Sequence, residues 1–316
     1  MTRYLARRLL QVVPTLIGMS VLIFALVRLL PGDVSNTLTG GDAGASAERQ
    51  QAMLTELGLA DPLPLQYWNF VSGFFTGDLG QSFLSGQPVS DTLLRALPIT
   101  LEITLLATVF AVVVGVPLGV ISAVRRNSVL DLITRLGGLI GLSMPNFWIA
   151  LIALLITSTF FFWVPSVTWI PIWTDPLGNL AQLAIPSFAV SLYLLAAVMR
   201  MTRTSVLDVL REDYVRTARA KGAPLHRVIT RHAVRNALIP VITLVGAQVG
   251  NLMGGATVIE VIFGLPGVGN TLVQATYNRD YPVVQVTAVF LATVFVVINL
   301  VVDLVYGFLD PRIERR

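Results

Sequence analysis

The feature that most constrains this chain is its succession of long apolar runs. A hydrocarbon core of about 30 Å takes roughly 20 apolar residues in a helix. Six stretches reach that length: about Leu9–Leu30, Leu97–Val124, Leu136–Trp163, Leu180–Met201, Ile239–Phe263 and Val284–Leu309. A bilayer offers the backbone no water to bond, so runs that are apolar at consecutive positions span it as helices. The rest of the chain could not support a water-soluble globule. Charged residues are 13% of the 316, about half the roughly 25% of soluble domains. The predicted class is all-α, a polytopic membrane protein with six transmembrane helices. Pro14, Pro117 and Pro145 fall inside the spans, where membrane helices tolerate them, and the fourth span is expected to be interrupted near Pro186. The absence of Cys excludes a disulfide framework, a Cys zinc site and a thiol nucleophile.

The first span follows the basic lead "MTRYLARR". It is too long for a signal peptide and lacks a small-x-small cleavage site, so a retained helix is expected. Orientation follows from Lys and Arg. With the N-terminus inside, the cytoplasmic segments hold Arg3, Arg7 and Arg8; Arg125, Arg126 and Arg135; the group from Arg200 to Arg235; and Arg312, Arg315 and Arg316. The opposite side holds Arg49, Arg95 and Arg279, with Arg28 near the outer end of the first helix, placed to snorkel. Both termini are expected in the cytoplasm. The segment 31–95 is then extracytoplasmic, and its "GLADPLPLQYWNFVSGFFTGDLGQSF" predicts a small folded cap. The organisation expected is a lead and first helix (1–30), this outer segment (31–95), a core of five helices (96–309) with a cytoplasmic loop at 204–238, and a tail (310–316). "FFWVPSVTWIPIW", Phe161–Trp173, reads as an interfacial aromatic belt.

The loop "REDYVRTARAKGAPLHRVITRHAVRNALIP", Arg211–Pro240, concentrates positive charge in an oily chain. Topology alone, anionic lipid binding or docking of a cytoplasmic partner could each explain it. Charges that merely orient the chain need no internal order, yet this loop has one. Asp208–Lys221 is a plausible helix, and Gly222 followed by Ala223-Pro224 is a helix stop. A second helix runs from about Pro224 into the fifth span, with Val228, Ile229, Ala233 and Val234 on an apolar stripe. The predicted form is helix–turn–helix at the membrane face, with "ARAKGAP" as its exposed tip.

At these residues the sequence resembles the cytoplasmic loop of ABC importer permeases. The general signature is Glu-Ala-Ala, three residues, Gly, nine residues, then Ile-x-Leu-Pro. Its Glu-Ala-Ala positions are Arg216, Thr217 and Ala218 here, its Gly is Gly222, and its end falls on His232, Ala233, Val234 and Arg235. The variant "RTARAKG…RHAxRNAxxP" is similar to the B-type permeases of dipeptide, oligopeptide and nickel importers. "RYLARRLLQVVPTLIGMSVLIFALVRLLPGD", "LGLADPLPLQYWNF", "GDLGQSF" and "EVIFGLPGVGNTLVQATYNRDYPVVQ" carry the same resemblance, in order, over nearly the whole chain. It implies a type I importer permease core and a coupling loop of Arg216, Thr217, Ala218, Arg219, Ala220, Lys221, Gly222, Ala223 and Pro224. The partners implied are a second homologous permease, two cytoplasmic ATPases that hold ATP and Mg, and an extracytoplasmic binding protein. The pathway would lie between the two permeases, lined by helices two to five. The general signature's Glu contact with the ATPase has no counterpart at Arg216.

Other features are weaker. Gly246, Gly250 and Gly254 recur one turn apart, which suits either ordinary packing or a close contact beside the pathway. "GLPGVGN", Gly264–Asn270, lacks the Lys-Ser/Thr end of a phosphate loop and reads as a tight re-entry turn. Glu102, Glu260 and Asp303 lie in or near spans, as structural pairs, cargo contacts or a proton relay. Glu260 and Asp303, near helix ends, are expected to be cheaply solvated. His226 and His232, both in the loop, are too few for a metal pathway. No catalytic set, nucleic-acid motif or cofactor site is read in the chain, and it is not expected to be an enzyme. The resemblance leaves nickel, glutathione or oligosaccharide as cargo alternatives to peptides. A gradient-driven secondary transporter is the rival class, but neither inverted repeats nor a midplane ion site is visible. Membrane lipid is the remaining expected partner, at a multi-pass site in the bacterial or archaeal plasma membrane.

Overall fold

The computed structural model describes residues 2–29, 51, 55 and 58–309, the side chains of 2–9, 225, 231, 232 and 303–309 excepted. Most of the segment from 31 to 57, expected on the outer side, the side chains of His232 and Asp303, and the tail 310–316 therefore lie outside the described residues. The described residues form helices and a single antiparallel bridge, Gln81 to Pro88. In chain order the helices are α1 (Thr2–Leu29), α2 (Leu63–Thr76), α3 (Val89–Val124), α4 (Val129–Ser143), α5 (Asn146–Phe160), α6 (Pro176–Val209) and α7 (Asp213–Ala220). A short turn α8 (Leu225–Arg227) and a π-helical segment (Val228–Val234) lead into α9 (Arg235–Phe263), followed by α10 (Val268–Tyr277) and α11 (Tyr281–Leu309).

Among the described residues five helices are long and apolar enough to cross a membrane, and a sixth span exists if α4 and α5 count as one. That pair corrects the expected third span. The chain bends by 105° between them. The cause is Pro145, which has no N–H for the ladder and pushes its predecessor out of the helical region. Met144 is accordingly extended (φ −85°, ψ 132°), and Pro145 becomes the N-cap of α5. Pro186 behaves differently. It sits buried inside a continuous α6, so the interruption expected there does not occur. Side chains cap the starts of α4 and α6: the Ser128 hydroxyl accepts from Asp131 N, and the Asp175 carboxylate accepts from Gly178 N.

The chain divides into two compact units, Met1–Ile99 with Pro266–Val297, and Thr100–Leu265 with Ile298–Arg316. In the first, α1 and α2 meet through aromatic side chains: Phe24 lies edge-on to Tyr67 at 5.2 Å, and Phe70 to Phe74 at 5.4 Å. Arg28 does not snorkel to water. Its guanidinium folds back over the Phe24 ring, 3.5 Å from the centroid, and donates to Gln66 Oε1. The first unit's core gathers Val27, Val89, Leu93, Val268, Val284 and Val286.

The second unit is organised around α6. Within its most apolar window 67% of the residues are buried, against 39% or less in the other long spans, so α6 is the interior helix. Helices α9, α4 and α5 all pack on it. Glycines set the closest of these contacts. A Cβ on Gly119 of α3 would stand 2.6 Å from Met199 O and from Thr202 Cβ, and one on Gly141 of α4 would stand 3.0 Å from Ala196 Cβ. Small residues at such crossings let backbones approach, which is the main source of helix attraction in lipid. Gly137 meets nothing within 4 Å. Gly119→Val should therefore destabilise the solubilised protein by about 1–3 kcal/mol through overpacking, while Gly137→Ala should leave it equal or slightly more stable. Thermal unfolding in mild detergent measures both, and matched melting curves would refute the close-contact assignment.

Candidate functional site

The basic loop folds as a short helix and a turn. The single helix expected over Asp208–Lys221 is broken: α6 ends at Val209, and α7 begins afresh at Asp213. Backbone bonds tighten at the junction, with Arg211 N donating to Asp208 O and Glu212 N to Val209 O. Glu212 is extended (φ −65°, ψ 145°) as the N-cap of α7. The charge pattern favours a new start there, because Glu212 and Asp213 sit at the positive end of the α7 dipole and Arg219 at its negative end.

The far end of α7 closes as the sequence predicts. Gly222 adopts φ +80°. Its N–H donates to Arg219 O (2.9 Å), and Ala223 N–H donates to Ala218 O (3.2 Å). This pair of bonds is the Schellman termination, which requires a left-handed residue where Gly carries no side-chain penalty. Pro224 follows and cannot continue the ladder. Val215 is fully buried and anchors α7. Arg216, Thr217, Arg219, Ala220, Lys221, Gly222 and Pro224 are exposed, with Ala218 and Ala223 partly covered. Asn236 Nδ2 donates to Tyr214 Oη (2.8 Å), tying α7 to the start of α9. Arg216 pairs with Asp213 at 3.2 Å on the open surface, where such pairs contribute little. The expected second helix forms through the π-helical segment, with Val228 and Ala233 buried. His226 is exposed.

The other candidate residues are not brought together. Glu260 is fully buried rather than cheaply solvated, and its Oε1 accepts from Thr100 Oγ1 at 2.6 Å. Glu102 lies two residues beyond Thr100, about 200° around α3, and faces elsewhere. Its Oε2 accepts from Trp169 Nε1 (3.1 Å), which ties the aromatic belt to α3. Gln182 of α6 braces the same belt, accepting from Ile170 N and donating to Thr168 O. Of the glycine series, Gly250 is buried, Gly246 borders a cavity of about 320 Å³ and Gly254 is open, with nothing within 4 Å of its added Cβ. "GLPGVGN" is a left-handed turn at Gly264 (φ +63°) running into α10, a helix the sequence reading does not anticipate.

Two further acids matter. Asp280, buried before α11, accepts from Ser82 Oγ (2.5 Å) and Phe83 N (3.1 Å), fastening the turn at residues 81–88 within the first unit. Asp131, in the first turn of α4, is 1% exposed and pairs with Arg203 of α6, Nε to Oδ1 at 2.8 Å and Nη2 to Oδ2 at 3.1 Å. Ser122 Oγ and Asn127 N complete the carboxylate's partners at 2.6 and 3.0 Å. The only sequence signal was an acid following a Ser cap in a basic connection, "RRNSVLD", and its partner is 72 residues away. This cluster fixes α3, α4 and α6 to one another immediately before α6 enters the loop. Removing one partner strands the other, so Asp131→Ala and Arg203→Ala should each cost about 3–5 kcal/mol. The double variant should lose clearly less than the sum. Unfolding of all three in detergent gives the coupling; strict additivity would show that the pair is not the structural tie.

Comparison with known proteins agrees with this architecture. A family model described as binding-protein-dependent transport system inner membrane component matches residues 115–315, and the N-terminal model of the same kind of component matches residues 1–104. The chain is 42% identical over 314 residues to a protein of Brucella suis biovar 1 (strain 1330) provisionally named a peptide transport system permease, covering 99% of each. It is 39% identical over 341 residues to the dipeptide transport system permease protein of Escherichia coli (strain K12), covering 100% of each. It is also 39% identical over 334 residues to the dipeptide transport system permease protein of Alkalihalophilus pseudofirmus, covering 99% of this chain and 100% of the relative. These full-length matches, on a bundle of apolar helices, make the chain a multi-pass inner-membrane permease that belongs to the family of binding-protein-dependent transport system inner membrane components.

Proposed function

We propose that this chain is one permease subunit of an ATP-powered importer of di- or oligopeptides, and that α7 with its Gly222 turn is where the motor docks. The peptide assignment is supported by relatives of full length named for peptide and dipeptide transport. It ranks above nickel, glutathione or oligosaccharide because none of the quoted names points to those. The docking assignment is carried by one observation. Helix α7 is anchored by buried Val215 but leaves nearly all its other side chains exposed, and it ends in a fixed glycine turn. A rigid protrusion transmits a push, whereas a floppy linker would absorb it.

In this reading Arg216–Pro224 sits in a groove of an ATPase subunit. ATP and Mg are held by two such ATPases, which supply the hydrolysis, and this chain performs no chemistry. Their closure pushes α7 and, through Leu210–Glu212, the end of α6. A second, homologous permease completes the pathway, and a binding protein delivers cargo on the far side. The Lys and Arg asymmetry supports a cytoplasmic loop and cytoplasmic termini. The recess of about 790 Å³ lined by Gln66, Asn69, Asp78, Tyr281 and Gln285 then faces the binding protein.

The test is uptake of labelled dipeptide, with nickel as the competing cargo, by the reconstituted transporter with its binding protein. Gly222→Val forces a β-branched residue into left-handed geometry at roughly 1–2 kcal/mol, so uptake and binding-protein-stimulated ATP hydrolysis should fall about tenfold or more while membrane insertion is normal. Arg216→Ala removes a surface pair and should change uptake by less than about threefold. Normal uptake by Gly222→Val, or a greater loss from Arg216→Ala, would overturn the docking assignment. Nickel uptake without peptide uptake would overturn the cargo.

A further inference from the structure

Beside the Asp131 cluster a cavity of about 340 Å³ opens between α4 and α6. Its polar rim includes Arg135, Arg200 and Arg203, and its wall includes Leu139, Leu142 and Met199. The three arginines are not equivalent. Arg203 is neutralised by Asp131, which is itself enclosed. Arg135 and Arg200 are exposed, and among the described residues neither guanidinium has a hydrogen-bond or ion-pair partner. The nearby hydroxyls are already committed, since Thr134 donates to Leu130 O and Thr204 to Arg200 O. The rim therefore carries uncompensated positive charge and no acidic group that would repel an anion.

The wall decides what kind of anion fits. Arg135 precedes the run "LGGLIGL", and Arg200 follows "YLLAAVM", so each cation stands at the edge of an apolar stretch. Leu139 is 59% exposed in the single chain and continues the cavity outward as apolar surface. A free phosphate would use the rim and leave this wall bare. A ligand with an anionic head and an alkyl tail would use both. Helix α6 runs from Arg200 straight to the basic loop, so the cavity lies on the loop-bearing face of the span, where a headgroup region meets hydrocarbon.

We propose that this cavity is a binding site for an anionic phospholipid, with the headgroup phosphate on Arg135 and Arg200 and an acyl chain along Leu139 and Leu142. Basic pockets between membrane helices have the chemistry for such headgroups. The site is independent of the cargo. A lipid held there braces α4 against α6 from outside, next to the buried Asp131–Arg203 pair that braces them from inside.

The experiment uses the assembled transporter, delipidated in mild detergent and titrated with phosphatidylglycerol or phosphatidylcholine while bound lipid is counted by native mass spectrometry. Phosphatidylglycerol should be retained at one site about tenfold more tightly than phosphatidylcholine, and Arg135→Gln/Arg200→Gln should abolish that preference. Leu139→Gln should weaken retention of phosphatidylglycerol as well. Equal retention of the two lipids by the unmodified transporter would overturn the proposal without any variant. So would a preference that survives in the double variant. Displacement by inorganic phosphate, with Leu139→Gln silent, would assign the rim to a free anion and overturn the lipid.

Discussion

The structure depends on the absence of water around its helices. In hydrocarbon there is little gain from hiding one apolar side chain against another, so helices must be held by close backbone approach and by polar groups that cannot find water. Both devices converge on α6. Gly115 and Gly119 admit α3 to it, and Gly138 and Gly141 admit α4. Arg203 then reaches Asp131 at the end of the same seam. The glycines allow the contact and the ion pair fixes its register, because a buried carboxylate with these partners has one satisfactory position. The ion pair need not add net stability over an apolar pair of similar volume. Its use is to define where α4 and α6 stop sliding.

The same logic separates the two prolines. At Pro145 the chain has a helix on either side and turns by 105° between them, which gives two shorter helices in place of a single straight one. At Pro186 the helix is interior, with neighbours packed around it, and it continues. A proline's effect in a membrane segment is decided by what surrounds the carbonyl it strands. Nothing in the local sequence distinguishes these cases.

Much of the architecture was legible because its causes are local. Runs of apolar residues gave the spans, and Gly222-Ala223-Pro224 gave the end of α7, since a left-handed termination needs only the residues that form it. What was missed has long-range causes. The burial of Glu260 depends on Thr100, 160 residues away, and the role of Asp280 depends on Ser82. Gly246, Gly250 and Gly254 have the most regular spacing, yet the close approaches to α6 belong to Gly115, Gly119, Gly138 and Gly141, and Gly254 is open. Spacing states that a helix could approach; only the fold states which helix does. The break at Leu210–Glu212 had a local signal, the acidic pair Glu212-Asp213, but an otherwise helical pattern across Asp208–Lys221 concealed it.

Under the docking proposed above, that break has a mechanical consequence. A helix continuous from α6 into α7 would present its side to a partner along one axis. Instead α7 is a separate eight-residue rod, joined to α6 by Leu210–Glu212 and to α9 by the Tyr214–Asn236 hydrogen bond. A push on α7 therefore reaches α6 and α9 together. Both belong to the second unit, and each packs more extensively on the other than on any other helix. At its near end α6 is also pinned to α3 and α4 by Arg203, Asp131 and Ser122. Displacement entering at Arg216–Pro224 would then move these helices as a group and not bend one of them, which is the response a pathway gated by rigid helices requires.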